Sequence, residues 1–218
     1  VEYNPILFWD PENKTTFDGQ NHTISNITIG NSSLDTAALF NGTLSVKNLK
    51  IDNAYVTGNG YVAVIGGNIY GNIHDCHISN STVTGNFWQV GGFAGQFNSG
   101  NITNCSITNT SITGPSAVGA LAGITNEQRG ERKFENCTIS GCTIVQNGSF
   151  GGDFDLYYGV ATGLINISDS TVCFNNCTVN NNTIKGVASD TLFGVVKDGT
   201  KILINGVCLT VVDGYTAL

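Results

Sequence analysis

The residues best placed by type and spacing to do chemistry are two carboxylates, Asp153 and Asp155, in a run that reads Gly-Ser-Phe-Gly-Gly-Asp-Phe-Asp-Leu-Tyr-Tyr over 148–158. Carboxylates beside Tyr157 and Tyr158 suit a saccharide, the rings lying on sugar C–H faces and the oxygens accepting from hydroxyls; they also suit Ca2+. The same residues read more readily as a long surface loop pinned by Phe150, Phe154 and Tyr157. Cleaving a polysaccharide needs two or three carboxylates, or a carboxylate with Arg or Lys, on one face. The acidic residues do not recur at outward strand positions, and Arg129 and Arg132 sit in one charged stretch. There is no Ser-His-Asp set and no Gly-rich phosphate loop. No catalytic residue and no cofactor is expected, Ca2+ being the one ligand ion to consider.

Seven cysteines raise metal and disulfide chemistry. No Cys-x2-Cys pair occurs, and His22, His74 and His77 do not converge with Cys173 and Cys177, so zinc is not expected. Four cysteines recur in register instead. Cys76, Cys105, Cys137 and Cys177 each follow an Asn or Asp: Asp75, Asn104, Asn136 and Asn176, with Asn48-Leu49 as an earlier copy. Stacked thiols pack as small hydrophobes, so this row is expected reduced. Cys142, Cys173 and Cys208 lie off it, and Cys173 or Cys208 could pair or be exposed.

The elements that carry these residues are repeats. Three residues before the second member of each pair stand Val46, Ile73, Ile102, Phe134 and Phe174. Two after it stand Ile51, Ile78, Ile107, Ile139 and Val179; seven after it stand Val56, Val83, Ile112, Ile144 and Ile184. The copies are spaced by 27, 29, 32 and 40 residues. Apolar residues alternate in short runs, the period of a strand, and no helical stripe is sustained. Such strands bury a continuous core only by stacking coil on coil. The expected fold is all-β: a single-domain right-handed parallel β-helix of about six to seven coils. Residues 1–15 are expected to lie across its N-terminal end, 16–200 to form the repeats, and 201–218 the last coil and C-terminal end. In that stack Asn48, Asp75, Asn104, Asn136 and Asn176 form an inward corner ladder with the cysteine row beside it.

Val90-Gly-Gly-Phe-Ala-Gly95 with Gly100-Asn-Ile-Thr-Asn-Cys105 and Ile112-Thr-Gly114 resembles the bacterial Glug motif. Val118-Gly-Ala-Leu-Ala-Gly123 matches again, and residues 16–27 and 37–49 resemble segments that precede such repeats. The resemblance covers roughly 16–196. It implies a right-handed parallel β-helix on a secreted or surface-attached protein, often part of a larger adhesin-like chain, and no catalytic residues.

Composition narrows the partners. The net charge is −7 and only 11% of residues are charged, which excludes the basic patches nucleic acid needs. No run of 18 apolar residues occurs, so no membrane insertion is expected. The chain begins at Val1 and has no Met, as in a processed, trimmed or fragmentary chain. Of fourteen Asn-x-Ser/Thr sequons, Asn80, Asn109 and Asn181 precede an inward residue and are expected to face outward, open to glycosylation. Thr57, Thr84 and Thr113 would stack as ice-binding rows do, but Val145 and Lys185 break the row. The reading is a non-enzymatic secreted or cell-surface solenoid, structural or adhesive. Its expected partners are extracellular carbohydrate or itself, head to tail, through Phe8 and Trp9 against Leu209 and Val211. A carbohydrate-binding or polysaccharide-cleaving site in the 148–158 loop is the alternative.

Overall fold

A computed structural model describes residues 3, 5–9, 12, 15–126, 131–167, 170–197 and 199–210. The chain is a parallel β-solenoid of about six turns. Each full coil contributes one short strand to each of five sheets, A to E, in that order. The second and third coils run through Phe40–Gly42, Ser45–Lys47, Lys50–Asp52, Tyr55–Gly58 and Tyr61–Val62, then Gly66–Tyr70, Ile73–His74, His77–Ser79, Thr82–Gly85 and Val90–Gly91.

The apolar rows read from the sequence are the rows that stack. On sheet B, Val46 pairs with Ile73, Ile73 with Ile102, Ile102 with Phe134 and Phe134 with Phe174. On sheet C, Ile51, Ile78, Ile107, Ile139 and Val179 follow in register; on sheet D, Val56, Val83, Ile112, Ile144 and Ile184 do. The pleat turns these residues inward and their Ser, Thr and Asn neighbours outward. Nearly all the inward residues are buried. Each buried Ile or Val contributes about 1.5–3 kcal/mol relative to exposure, so the stack is held by many equal increments.

A glycine recurs near the start of the sheet A strands. Gly67, Gly95, Gly123, Gly163 and Gly194 lie over one another, so close that a Cβ on Gly95 would meet the Gly67 carbonyl oxygen at 2.8 Å and one on Gly123 would meet that of Gly95 at 2.7 Å. The repeated Val-Gly-x-x-Ala-Gly pattern is therefore a spine along which main chains of adjacent coils touch.

Two corners are constant along the stack. Between sheets B and C, and again between C and D, the chain turns through a pair of residues: the first is left-handed, the second points inward. Asn48, Asp75, Asn104, Asn136 and Asn176 have φ between 51° and 54°, and Asn53, Asn80, Asn109 and Asn181 between 48° and 55°. Asn and Asp tolerate this region better than other non-glycine residues, which explains their repetition. The expected placement of Asn104, Asn136 and Asn176 inside the corner is corrected: they are exposed, as are Asn80, Asn109 and Asn181. A left-handed corner aims the first side chain outward and the next one in. Asn104→Val is expected to cost about 1–2 kcal/mol through backbone strain alone, whereas Asn104→Gly should cost much less. The same contrast is expected at Asn109. Urea titrations check it; a Val variant as stable as the Gly variant would refute the conformational explanation.

At the N-terminal end Ile6–Phe8 pairs in parallel with Phe40–Gly42 as the first strand of sheet A, and Phe8 and Phe17 pack on Phe40 at 6.2 and 4.7 Å between ring centroids. At the other end Lys201–Ile204 joins sheet B, and Val207–Thr210 folds back on it antiparallel. The last described edge is thus a hairpin rather than an open parallel coil.

Candidate functional site

The inner side chains of the two constant corners replace hydrogen bonds that the turning backbone cannot make. At the B–C corner the Cys105 Sγ lies 3.2 Å from the Thr103 carbonyl oxygen and 3.6 Å from that of Ile73; Cys137 Sγ lies 3.4 Å from those of Glu135 and Ile102. A thiol is a weak donor of about the right size to sit there. Cys76 and Cys177 hold equivalent contacts. At the C–D corner hydroxyls and amides accept instead: Ala54 N–H donates to Ser81 Oγ at 3.0 Å and Cys142 N–H to Asn182 Oδ1 at 2.9 Å. All seven cysteines are free thiols. Burial pushes the Cys105 thiol up and raises Cys142 to about 11. Cys173 is buried, its Sγ 2.9 Å from Glu131 Oε1, and is raised to about 11 by burial and that carboxylate; Cys208 is exposed.

Outside, the corner side chains link coil to coil. Asn48 Nδ2 donates to Asp18 Oδ1 at 3.0 Å, Asn104 Nδ2 to Asp75 Oδ1 at 3.2 Å and Asn136 Nδ2 to Asn104 Oδ1 at 3.0 Å. Asn80 Nδ2 donates to Asp52 Oδ1 at 2.8 Å, and Asn176 N–H to Asn205 Oδ1 at 2.8 Å. These bonds favour the carboxylate forms. Asp18 is held at about 2, first by Asn48, then by the Gln20 N–H, with Lys47 3.2 Å away. Asp52 is lowered by Ser79 and Asn80, and Asp75 by His74 and Asn104. An unfolded Asp titrates near 3.9, so on acidification the unfolded chain takes up these protons first. The stabilisation is complete above that value and is lost as pH falls through the folded values. Thermal melts should therefore hold between pH 7 and 5 and drop steeply from about pH 4 toward 2, with Asp18→Asn lowering the melting temperature at neutral pH and flattening that drop. A melting temperature independent of pH over this range would refute the assignment.

Of the other corners, the one between sheets D and E varies most in length. Successive coils connect there through residues 30–35, 59–60, 86–89, 115–117 and 147–157. The last is the stretch singled out for Asp153 and Asp155. It makes one turn of 3-10 helix over Gly152–Leu156 and folds back along the solenoid. Tyr158 Oη donates toward the Gly114 and Pro115 carbonyl oxygens at 3.1 and 2.5 Å, Ser116 Oγ to the Phe154 oxygen at 2.9 Å, and Asn147 Nδ2 to the Gly85 oxygen at 3.1 Å. Lys185 Nζ lies 2.5 Å from the Asp155 carbonyl oxygen and 4.3 Å from the centre of the Tyr158 ring.

This placement changes the role of the four candidate residues. Tyr157 and Tyr158 are 7% and 4% exposed and offer no face to a sugar; burial and the Asp155 charge push the Tyr158 phenol up. Asp155 spends both oxygens within the loop, on Gln146 Nε2 at 3.1 Å and Ser149 Oγ at 2.7 Å. Asp153 lies on the 3-10 turn. The rings that reach the surface belong partly to another coil: Phe150 and Phe154 from the loop, and Phe87 with half-buried Trp88 from residues 86–89. Trp88 stands 5.8 Å from Phe150, 5.1 Å from Phe154 and 6.5 Å from Tyr157. Phe87 and Trp88 were not marked by type and spacing; the signal that could have found them is an aromatic pair interrupting the alternation two residues after Gly85.

Elsewhere, Leu7 within strand Ile6–Phe8 and Trp9 just after it are 75% and 84% exposed, while Leu209 lies in the terminal hairpin and Val211 falls outside the described residues. Among the described residues no group of three or more His, Cys, Asp or Glu is placed to hold a metal ion. No helix there is long and apolar enough to cross a membrane.

Fold and corner chemistry together define a parallel β-solenoid whose D–E edge is the most variable. No protein-family profile matches the chain. It is 39% identical over 84 residues to Halomucin of Haloquadratum walsbyi, an alignment covering 37% of this chain and 1% of that protein's length. Among solved structures it is similar to a Bacteroides ovatus protein provisionally assigned as an immunoglobulin A1 protease. That match has a TM-score of 0.43 and 15% identity, and spans 92% of this chain and 65% of the other.

Proposed function

We propose that this chain is a non-enzymatic structural and adhesive module of a secreted or cell-surface protein, of the Glug-like type its motifs resemble. The observation that carries the reading is how the carboxylates are used. Asp18, Asp52 and Asp75 are bonded to side chains of the next coil, Asp155 is bonded within its loop, and Glu131 is bonded to Cys173 and paired with Lys133 at 3.6 Å. Groups committed to stacking are not poised as acid and base across a scissile bond. A charge-poor outer surface of Ser, Thr and Asn, and the partial likeness to Halomucin, support a place outside the cell. Incubation with neutral and acidic polysaccharides is expected to release neither reducing ends nor unsaturated products. Turnover abolished by Asp155→Asn or Asp153→Asn would overturn the reading.

A further inference from the structure

We infer that the D–E edge of the first three coils carries a binding groove for a neutral saccharide; this rests on the adhesive half of the proposal above. The groove, about 320 Å3, is lined by Asp35, Gly60, Tyr61, Phe87, Trp88 and Gln89. That volume lies at the lower end of the usual range for small-ligand sites. It is distinct from the 148–158 carboxylates, and its residues come from three successive coils.

The frame is rigid because the loops themselves stack. Asn59 N–H donates to the Leu34 carbonyl oxygen at 2.7 Å, Phe87 N–H to that of Asn59 at 2.9 Å, and Val62 N–H to that of Gln89 at 3.1 Å. Gly60 and Tyr61 both donate to the Asp35 carbonyl oxygen at 2.8 Å. Gly60 leaves room for the Asp35 carboxylate, whose Oδ1 would lie 2.4 Å from a Cβ at that position. Behind the groove the rings of Phe150, Phe154 and Tyr157 hold Trp88 in place. The long insertion of the fifth coil thereby acts as a buttress reaching back two coils.

The lining selects the ligand class. Phe87 is 52% exposed, 6.4 Å from Trp88 with the ring planes 46° apart, so two apolar faces are offered at an angle. Each fits the C–H face of a sugar ring, and aromatic surface of this kind on a rigid loop is where binding usually resides. The polar groups among them are acceptors in need of donors. Gln89 Oε1 is buried and has no hydrogen-bond partner, on a residue held in the left-handed region at φ 55°. The Asp35 carboxylate is exposed and takes no partner among the described residues. A buried acceptor without a donor is costly in the free protein and is relieved by a ligand rich in hydroxyls. The Asp35 charge in a chain of net charge −7 disfavours uronates and other anionic sugars, leaving neutral hexose or pentose chains.

The test is a titration of the whole chain with named oligosaccharides: neutral β-1,4-glucan, β-1,3-glucan, mannan, galactan and xylan fragments against oligogalacturonate and alginate fragments. It is followed by Trp fluorescence in a Trp9→Phe background and by calorimetry. At least one neutral oligosaccharide is expected to bind saturably and shift the Trp88 emission, with none of the anionic ones doing so. Phe87→Ala should weaken that binding at least tenfold and Asp35→Asn severalfold, while melting temperature and circular dichroism stay those of the parent. Absence of any neutral binding at millimolar ligand, preference for the anionic sugars, or affinity indifferent to Phe87→Ala and Asp35→Asn in folded variants would overturn the inference. Those outcomes leave the non-enzymatic reading standing, whereas product release from the same panel would remove that reading and not this one.

Discussion

Gly123→Val is expected to abolish cooperative folding. A Cβ at this position would meet the Val90 nitrogen at 2.5 Å, the Ala117 oxygen at 2.6 Å and the Gly95 oxygen at 2.7 Å. All three atoms belong to main chain, two of them in the preceding coil, so no side chain can swing aside. Relief would require separating the coils along the spine, with loss of the parallel bonds that join Ala94–Ser99 to Ala122–Thr125. The destabilisation should exceed about 4–5 kcal/mol, the range reserved for gross steric or network failures. The outward Thr84→Ala should stay within about 0.5 kcal/mol. Soluble yield, far-ultraviolet circular dichroism and urea unfolding measure both. A Gly123→Val protein with the parent's midpoint would mean that the spine is looser than described.

Phe134→Ala is the second large effect. Phe134 is fully buried on sheet B, its ring 6.3 Å from Phe97 and 6.4 Å from Phe174, which in turn is 5.9 Å from Phe193. Removing it opens a cavity between two rings that are themselves fixed by parallel strands. A loss of about 3–5 kcal/mol is expected, read from denaturant midpoints at unchanged slope. Phe134→Leu should cost much less, because the same position is filled by Val46, Ile73 and Ile102 in earlier coils. Equal costs for Ala and Leu would show that the ring stack, rather than filled volume, is what the site requires.

Much of this architecture was legible because stacking turns a repeated residue type into a repeated position. Ile78, Ile107 and Ile139 could be assigned to one inward row from spacing alone, and they form it. The corners were harder. Asn104 and Asn109 have the same polarity and both precede an inward residue, and only the backbone reveals that both are left-handed and both exposed. Spacing could not distinguish a ladder inside the turn from one outside it. The loop at 148–158 attracted attention through its paired carboxylates, yet Tyr157 and Tyr158 turn inward because packing on Trp88 and bonding to Gly114 and Pro115 outweigh solvation of their rings. The groove could not be read at all. Asp35, Tyr61 and Trp88 lie about one coil apart in the chain and become neighbours only when loops of unequal length stack.

That inequality has a consequence for how such a chain can be altered. The B–C and C–D corners fix the coil-to-coil register, and the glycine spine fixes the distance between coils. The ends of the D–E connections help to close the spine, yet the register holds although one coil makes that connection through residues 59–60 and another through 147–157. Loop-closure cost grows only by about 0.6 kcal/mol for each doubling of length. The D–E edge is therefore a graft site: a foreign peptide inserted at the exposed pair Ser32–Ser33 should be displayed without re-threading the coils beneath it.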